Sequence, residues 1–130
     1  MKSLPLTAVV TILSVLLLFV IASLVGRARA KYGIRAPATT GNDSFERIFR
    51  VHANTVENTV MFLPMLWLFA ATLGDRWAAL LGLVWLVGRV WYAVAYAQDV
   101  KKRGGGFTLA LLAWGVLTIG AAIGLLRAWL

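Results

Sequence analysis

Four apolar stretches run the length of this 130-residue chain, separated by short polar, glycine-bearing segments. They cover about residues 4–25, 45–73, 77–103 and 107–130. Each is long enough, at roughly 20 residues or more, for an α-helix to cross the hydrocarbon of a bilayer. The pattern predicts an all-α, integral membrane four-helix bundle, a single domain over residues 1–130. The Gly74–Arg76 connection is tight, so spans two and three form an antiparallel hairpin. The third helix is expected to continue to Arg103, where Gly104-Gly105-Gly106 stops it and provides a flexible hinge. Pro64 predicts a kink in span two and a freed carbonyl near Val60. Lys2 followed by Leu4–Val25, with Ala28-Arg29-Ala30 behind it, has the outline of a signal peptide. The apolar run is too long for a signal core, and we expect it to be retained as the first span.

Composition agrees with that reading. Hydrophobic residues make up 61% of the chain and charged ones 14%, with a mean hydropathy of +0.82, which excludes an ordinary soluble domain. There is no cysteine, hence no disulfide framework or thiol nucleophile, and a single histidine makes a protein-only metal site improbable, so none is expected. A net charge of +8 raises the question of nucleic acid, but most basic residues flank the apolar spans, and no nucleic-acid partner is expected. The basic excess also suits membrane lipid headgroups or an anionic ligand. Seven basic residues, Arg27, Arg29, Lys31, Arg35, Lys101, Lys102 and Arg103, lie on loops one and three, against Lys2, Arg76 and Arg127 on the other side. The positive-inside rule therefore places loops one and three in the cytoplasm and both termini opposite.

The informative departures from hydrophobicity are polar residues inside the spans. Glu57 and Arg89 each sit deep in a span, where a charge costs roughly 2.5–3.5 kcal/mol on insertion scales. Arg47, Arg50, Asn54 and Glu57 fall within an arc of about 80° on a helix of 100° per residue, and Arg89, Tyr92, Tyr96 and Arg103 within about 60°. Counted from the loops, Glu57 is level with Tyr92, Asn54 with Tyr96, and Arg50 with Arg103, so the hairpin sets two polar stripes face to face. They predict an arginine-rich cleft for a small anionic or zwitterionic ligand. The plainer alternative is that these residues only glue helices together, with Glu57 and Arg89 paired; one such pair fits that view better than the whole set does. His52 falls on the opposite helix face from the stripe, and Lys101 and Lys102 read as solvated orientation charges.

The run Phe45-Glu46-Arg47-Ile48-Phe49-Arg50-Val51-His52-Ala53-Asn54-Thr55-Val56-Glu57-Asn58 closely resembles the E-R-x-x-R-[AV]-[HQ]-x-N-x-x-E signature of the MAPEG family, the membrane-associated proteins of eicosanoid and glutathione metabolism. Thr39-Thr40-Gly41 and Gly88-Arg89-Val90-Trp91-Tyr92-Ala93-Val94-Ala95-Tyr96 also look like family sequence. The motif-level likeness covers about residues 29 to 103. It implies a homotrimer that binds glutathione at subunit boundaries near the cytoplasmic side. Carried over by position, it implies glutathione contacts from Arg50, Asn54, Glu57, Tyr92 and Tyr96, a contribution from His52 across a subunit boundary, and thiolate stabilisation by Arg103. Arg29 or Arg27 matches the basic residue that ends the first helix, with Arg29 the preferred candidate; Arg47 and Arg89 would support the site. Asn58, where the leukotriene branch has an aromatic residue, together with Ala53, Thr55 and the displaced Pro64, departs from particular branches and argues against inferring a branch-specific eicosanoid function.

The chemistry implied is that of a membrane glutathione-dependent transferase or peroxidase. Arginines suit the two carboxylates of glutathione, an acidic side chain its ammonium, and tyrosines donate without adding charge. A thiol with a pKa near about 8.5 is mostly protonated at neutral pH, and a guanidinium such as that of Arg103 favours the thiolate. The electrophile would be an apolar molecule or a lipid hydroperoxide arriving through the membrane. Two other classes compete: a non-catalytic lipid-binding scaffold of the same family, which has no need of Arg103, and a four-span multidrug exporter, which needs a proton-coupling acid that span one lacks.

Overall fold

The computed structural model describes residues 4–130 and consists of four long helices. They are α1 (Pro5–Tyr32), α2 (Asp43–Leu73), α3 (Asp75–Gln98) and α4 (Gly104–Trp129). All four are long and apolar enough to cross a membrane.

Local chemistry sets the ends. Pro5 occupies the first turn of α1, where its missing N–H costs nothing, and Gly33 ends the helix in the left-handed region at φ 67°. Asn42 caps α2 by accepting the Phe45 N–H at 3.0 Å, with Asp43 and Glu46 placed favourably in the first turn. Gly74, at φ 118°, is the one residue between α2 and α3, which makes the expected hairpin. Asp75 opens α3 and accepts from the Leu6 and Thr7 amides at 3.0 and 2.8 Å, so its carboxylate also caps the start of α1.

The end of α3 differs from the expectation. The helix stops at Gln98 and does not reach Arg103. Asp99 is extended, with φ −157°, and its carboxylate accepts from the Lys101 N–H at 3.0 Å, which starts a single 3-10 turn over Val100–Lys102. A polar cap therefore ends the helix before the glycines do. Gly104, Gly105 and Gly106 open α4 instead of forming a hinge. A Cβ on Gly106 would collide with the Tyr92 N and the Gly88 O, so the glycines let α4 start with its backbone against that of α3.

The helices α2 and α3 form the central pair; α1 packs on both from one side and α4 on both from the other. At the Gly74 end the packing is dry and dense. Phe62 and Trp85 stack with centroids 3.8 Å apart and planes 1° from parallel, and Val10, Leu66, Ala113 and Leu117 close around them. Gly82 admits Val10 and Leu66 into the same layer. At the other end Phe45 is buried among α1 and α2 residues, and between the two ends the core becomes polar.

Candidate functional site

The polar section of α2 and α3 is built around Arg89, whose side chain is fully buried. Its Nη2 donates to Asn54 Oδ1 at 2.8 Å and to Thr55 Oγ1 at 2.7 Å. The guanidinium carbon lies 4.3 Å from the centroid of the Tyr92 ring, a cation–π contact. Nε and Nη1 have no partner among the described residues. A buried cation is costly unless paired and fully hydrogen-bonded, and this one is held by two neutral oxygens and a ring face. The pairing of Arg89 with Glu57 does not occur within the chain: Glu57 lies on the exposed face of α2, while Arg89 turns to Asn54 and Thr55 on the α3-facing side.

Asn54 is thereby oriented. Its Oδ1 accepts from Arg89 and also from Asn58 Nδ2 at 3.2 Å, and Asn58 Nδ2 donates to the Asn54 backbone carbonyl at 2.8 Å. With both partners on the carbonyl oxygen, the Asn54 NH2 group is left as a donor toward the space beside it.

That space is a cavity of about 290 Å³ lined by Arg50, Asn54, Tyr92, Tyr96, Arg103, Gly104 and Phe107. Three helices and the 3-10 turn converge there. Arg50 and Asn54 are one turn apart on α2, as are Tyr92 and Tyr96 on α3. Arg103 arrives on the turn before α4, not on the face of α3, and is exposed at the rim. Tyr92 and Tyr96 are 3% and 8% exposed, with ring centroids 5.4 Å apart; Phe107 lies 6.2 Å from Tyr92. Their rings pack back onto Ile21 and Val51, so the tyrosines form a wall with a polar and an apolar side. A wider cleft of about 550 Å³ adjoins the cavity and shares Arg50 and Tyr96 with it; Thr39, Asp43, Glu46, Arg47, Phe49 and Val100 complete its lining.

The remaining candidates do not line the cavity itself, and of them only Arg47 borders the adjoining cleft. Arg29 folds back on the first loop, donating from Nη1 to Ala38 O at 2.8 Å and Ile34 O at 3.4 Å, with its guanidinium 5.0 Å from the Phe45 centroid. Arg47 ties α2 to the end of α3, with Nε to Ala97 O at 3.4 Å and Nη2 to Ser44 Oγ at 3.2 Å. His52 is half-buried and borders neither space. Sequence reasoning missed Thr55, Asn58 and Phe107 as parts of the site, and Asp43 and Glu46 as acids at its mouth. The acids sit one turn ahead of Arg47 and Arg50 on the same helix, a spacing that was available as a signal.

The arrangement presents two arginines, one oriented amide and two phenols to a cavity open at one end, with carboxylates in the adjoining cleft. That set of donors and acceptors matches the chemistry of a small molecule that carries carboxylates and an ammonium.

Comparison with known proteins gives this constellation a context. Residues 7–123 match the model of the MAPEG family. The chain is 39% identical to microsomal glutathione S-transferase 2 of Homo sapiens, over 96% of this chain and 85% of that protein. It is 38% identical to leukotriene C4 synthase of Bos taurus, over 96% and 83% respectively. It is 50% identical to an uncharacterised protein of Synechocystis, over 92% and 87%.

Proposed function

The chain belongs to the MAPEG family and is an integral, multi-pass membrane protein; from that premise we propose that it is a glutathione transferase, activating the thiol of glutathione for attack on an apolar electrophile. The observation that carries this reading is the single cavity in which Arg50, Asn54, Tyr92, Tyr96 and Arg103 meet. The names of two relatives point the same way, one a glutathione S-transferase and one a leukotriene C4 synthase.

The tripeptide would lie across the cavity and the adjoining cleft. Arg50 borders both spaces and would take a carboxylate through charge-assisted hydrogen bonds. The Asn54 amide, oriented by Arg89, and the Tyr92 and Tyr96 hydroxyls would donate to the peptide. Asp43 and Glu46 at the mouth offer anionic oxygen to the ammonium. Arg103 at the rim would face the sulfur. The thiol proton leaves to solvent at the open end, and the guanidinium stabilises the thiolate, each unit of pKa lowering requiring about 1.4 kcal/mol of differential interaction. The sulfur lone pair then forms a bond to the electrophilic carbon, and the electrons of the broken bond depart with the leaving group. Reduction of a lipid hydroperoxide would begin with the same thiolate attacking the O–O bond, which releases the lipid alcohol and leaves a glutathione sulfenic acid; a second glutathione thiol would then give the disulfide and water.

Self-association belongs to this reading. Glu57 lies about 20 Å along α2 by rise per residue, on an exposed stripe that continues through Val60, Met61, Pro64 and Leu68. A carboxylate facing lipid at that depth is unfavourable, and a neighbouring subunit would cover it. We therefore infer a homotrimer with α2 near the axis, in which Glu57, His52 and Arg29 border a neighbour's cavity. Loops one and three would face the cytoplasm, as their arginines and lysines imply.

The test uses the purified protein in detergent. Glutathione should raise its thermal midpoint saturably, and conjugation of a generic aryl halide should require glutathione. Neither stabilisation nor glutathione-dependent turnover, in a protein shown to be folded, would overturn the reading in favour of a lipid-binding scaffold.

A further inference from the structure

A second feature lies on the other side of the tyrosine wall. A furrow runs between α1 and α3, its lining including Leu13, Leu17, Val20, Val87, Val90 and Trp91 and almost devoid of polar surface, with a volume of about 620 Å³. A second hollow of about 320 Å³ continues it toward the loops, between Leu24 and Val94, and ends at Gln98, the last residue of α3. From Leu13 to Leu24 the trough is about 17 Å long by helical rise, close to one leaflet's share of a hydrocarbon core about 30 Å thick.

Its loop end is basic. At 100° per residue, Arg27 and Lys31 fall on the same face of α1 as Leu13, Val20 and Leu24, so they continue the apolar stripe beyond the hollow. On the facing side Lys101 and Lys102 follow Gln98 within one 3-10 turn. All four are exposed, and Asp99, which precedes the 3-10 turn, accepts from the Lys101 N–H and caps it. The hollow also meets α2, at Ile48 and Val51, which lie about 180° and 120° around the helix from Glu57, so it is on the other side of α2 from that stripe.

An apolar trough one leaflet deep that ends in four cations matches one chemistry. We infer that the α1–α3 furrow is a binding site for an anionic phospholipid, with an acyl chain in the trough and the phosphate between Arg27, Lys31 and the lysines of the 3-10 turn. The lipid backs directly onto the apolar side of Tyr92 and Tyr96, through Leu17 and Ile21. The inference rests on the membrane placement of the chain and is independent of its thiol chemistry.

The experiment compares the intact protein in nanodiscs of phosphatidylcholine with and without phosphatidylglycerol, followed by native mass spectrometry from detergent. Phosphatidylglycerol should raise the thermal midpoint relative to phosphatidylcholine alone and should be retained preferentially. The double variant Arg27→Gln, Lys31→Gln should bind it about thirtyfold more weakly, at roughly one unit of surface attraction per basic residue. Val87→Trp, which fills the trough, should abolish retention of either lipid. No preference in the wild type, or a preference that survives both variants, overturns the proposal. So does an intermolecular disulfide formed readily by Val87→Cys, which would assign the furrow to a second copy. A rise in KM for an apolar electrophile in Val87→Trp without loss of lipid would assign it to substrate instead.

Discussion

The two ends of the α2–α3 pair use the same helices for opposite purposes. Toward Gly74, Phe62 and Trp85 stack at 3.8 Å inside a cluster of apolar side chains that includes Val10, Leu66, Ala113 and Leu117. Toward the loops, the same pair buries Arg89 against two neutral oxygens, leaves two of its nitrogens without partners among the described residues, and encloses a cavity. The first end gains from close contact, each buried aromatic side chain contributing many small dispersion terms. The second gives up such contact to keep donors aimed at a space. On the proposed function, stability and binding separate along the length of one hairpin, and substitutions at the two ends should affect different measurements.

The largest effect is expected at the packed end. Trp85→Ala would leave a void under Phe62 and should destabilise by about 3–5 kcal/mol, read as a lowered thermal midpoint in detergent. The glutathione affinity of the molecules that remain folded should stay near the wild-type value. A specific loss of affinity at unchanged stability would erase the distinction between the two ends.

Gly106→Ala tests the seam that joins them. The added Cβ meets the backbone of Tyr92 and Gly88, which cannot move aside as a side chain would. A loss of about 3 kcal/mol is expected, at the upper end for overpacking. Because α4 would shift away from Tyr92, thermal stability and glutathione stabilisation should fall together.

Arg89→Met sharpens the comparison from the other end. It removes an incompletely paired buried charge while keeping much of the side-chain volume, a change that is often neutral or stabilising. The thermal midpoint should hold or rise. Asn54 loses the partner that orients it, and glutathione affinity should fall about tenfold, or 1.4 kcal/mol, by calorimetry. A collapse in stability would show that Arg89 is packing glue.

A smaller effect is expected from Glu57→Gln, which keeps shape and removes charge on the open stripe of α2. Glutathione stabilisation should weaken several-fold in the assembled protein, since the carboxylate would reach only a neighbour's cavity. Equal stabilisation in the variant and the wild type would remove Glu57 from any site.

Much of this was legible in the chain. The four helices follow from apolar length. The convergence of Arg50, Asn54, Tyr92 and Tyr96 follows from residues one turn apart on two helices of a tight hairpin. The choices among partners were not legible. Arg89 pairs with Thr55, which looks like filler in an apolar helix, because hydroxyl direction depends on packing angles that spacing does not carry. Glu57 sits at the edge of an 80° arc, wide enough for one end to face Arg89's side and the other to face out. The break at Asp99 was hidden by the glycines that follow: both features stop helices, and only the close approach of Gly106 to Tyr92 shows that the glycines serve α4.

The central claim is that Arg103, brought to the cavity rim by that break, stabilises the thiolate while the groups of α2 and α3 hold the peptide. The direct measurement is the thiolate absorbance of bound glutathione near neutral pH in Arg103→Ala, beside its turnover and its glutathione affinity. The account predicts a lost thiolate signal and turnover reduced about tenfold per unit of thiol pKa regained, with affinity changed much less, and partial rescue by Arg103→Lys, which keeps the charge without the planar fork. A variant Arg103→Ala that retains both the thiolate signal and the turnover would contradict it, and would move thiol activation to Arg29 of a neighbouring subunit.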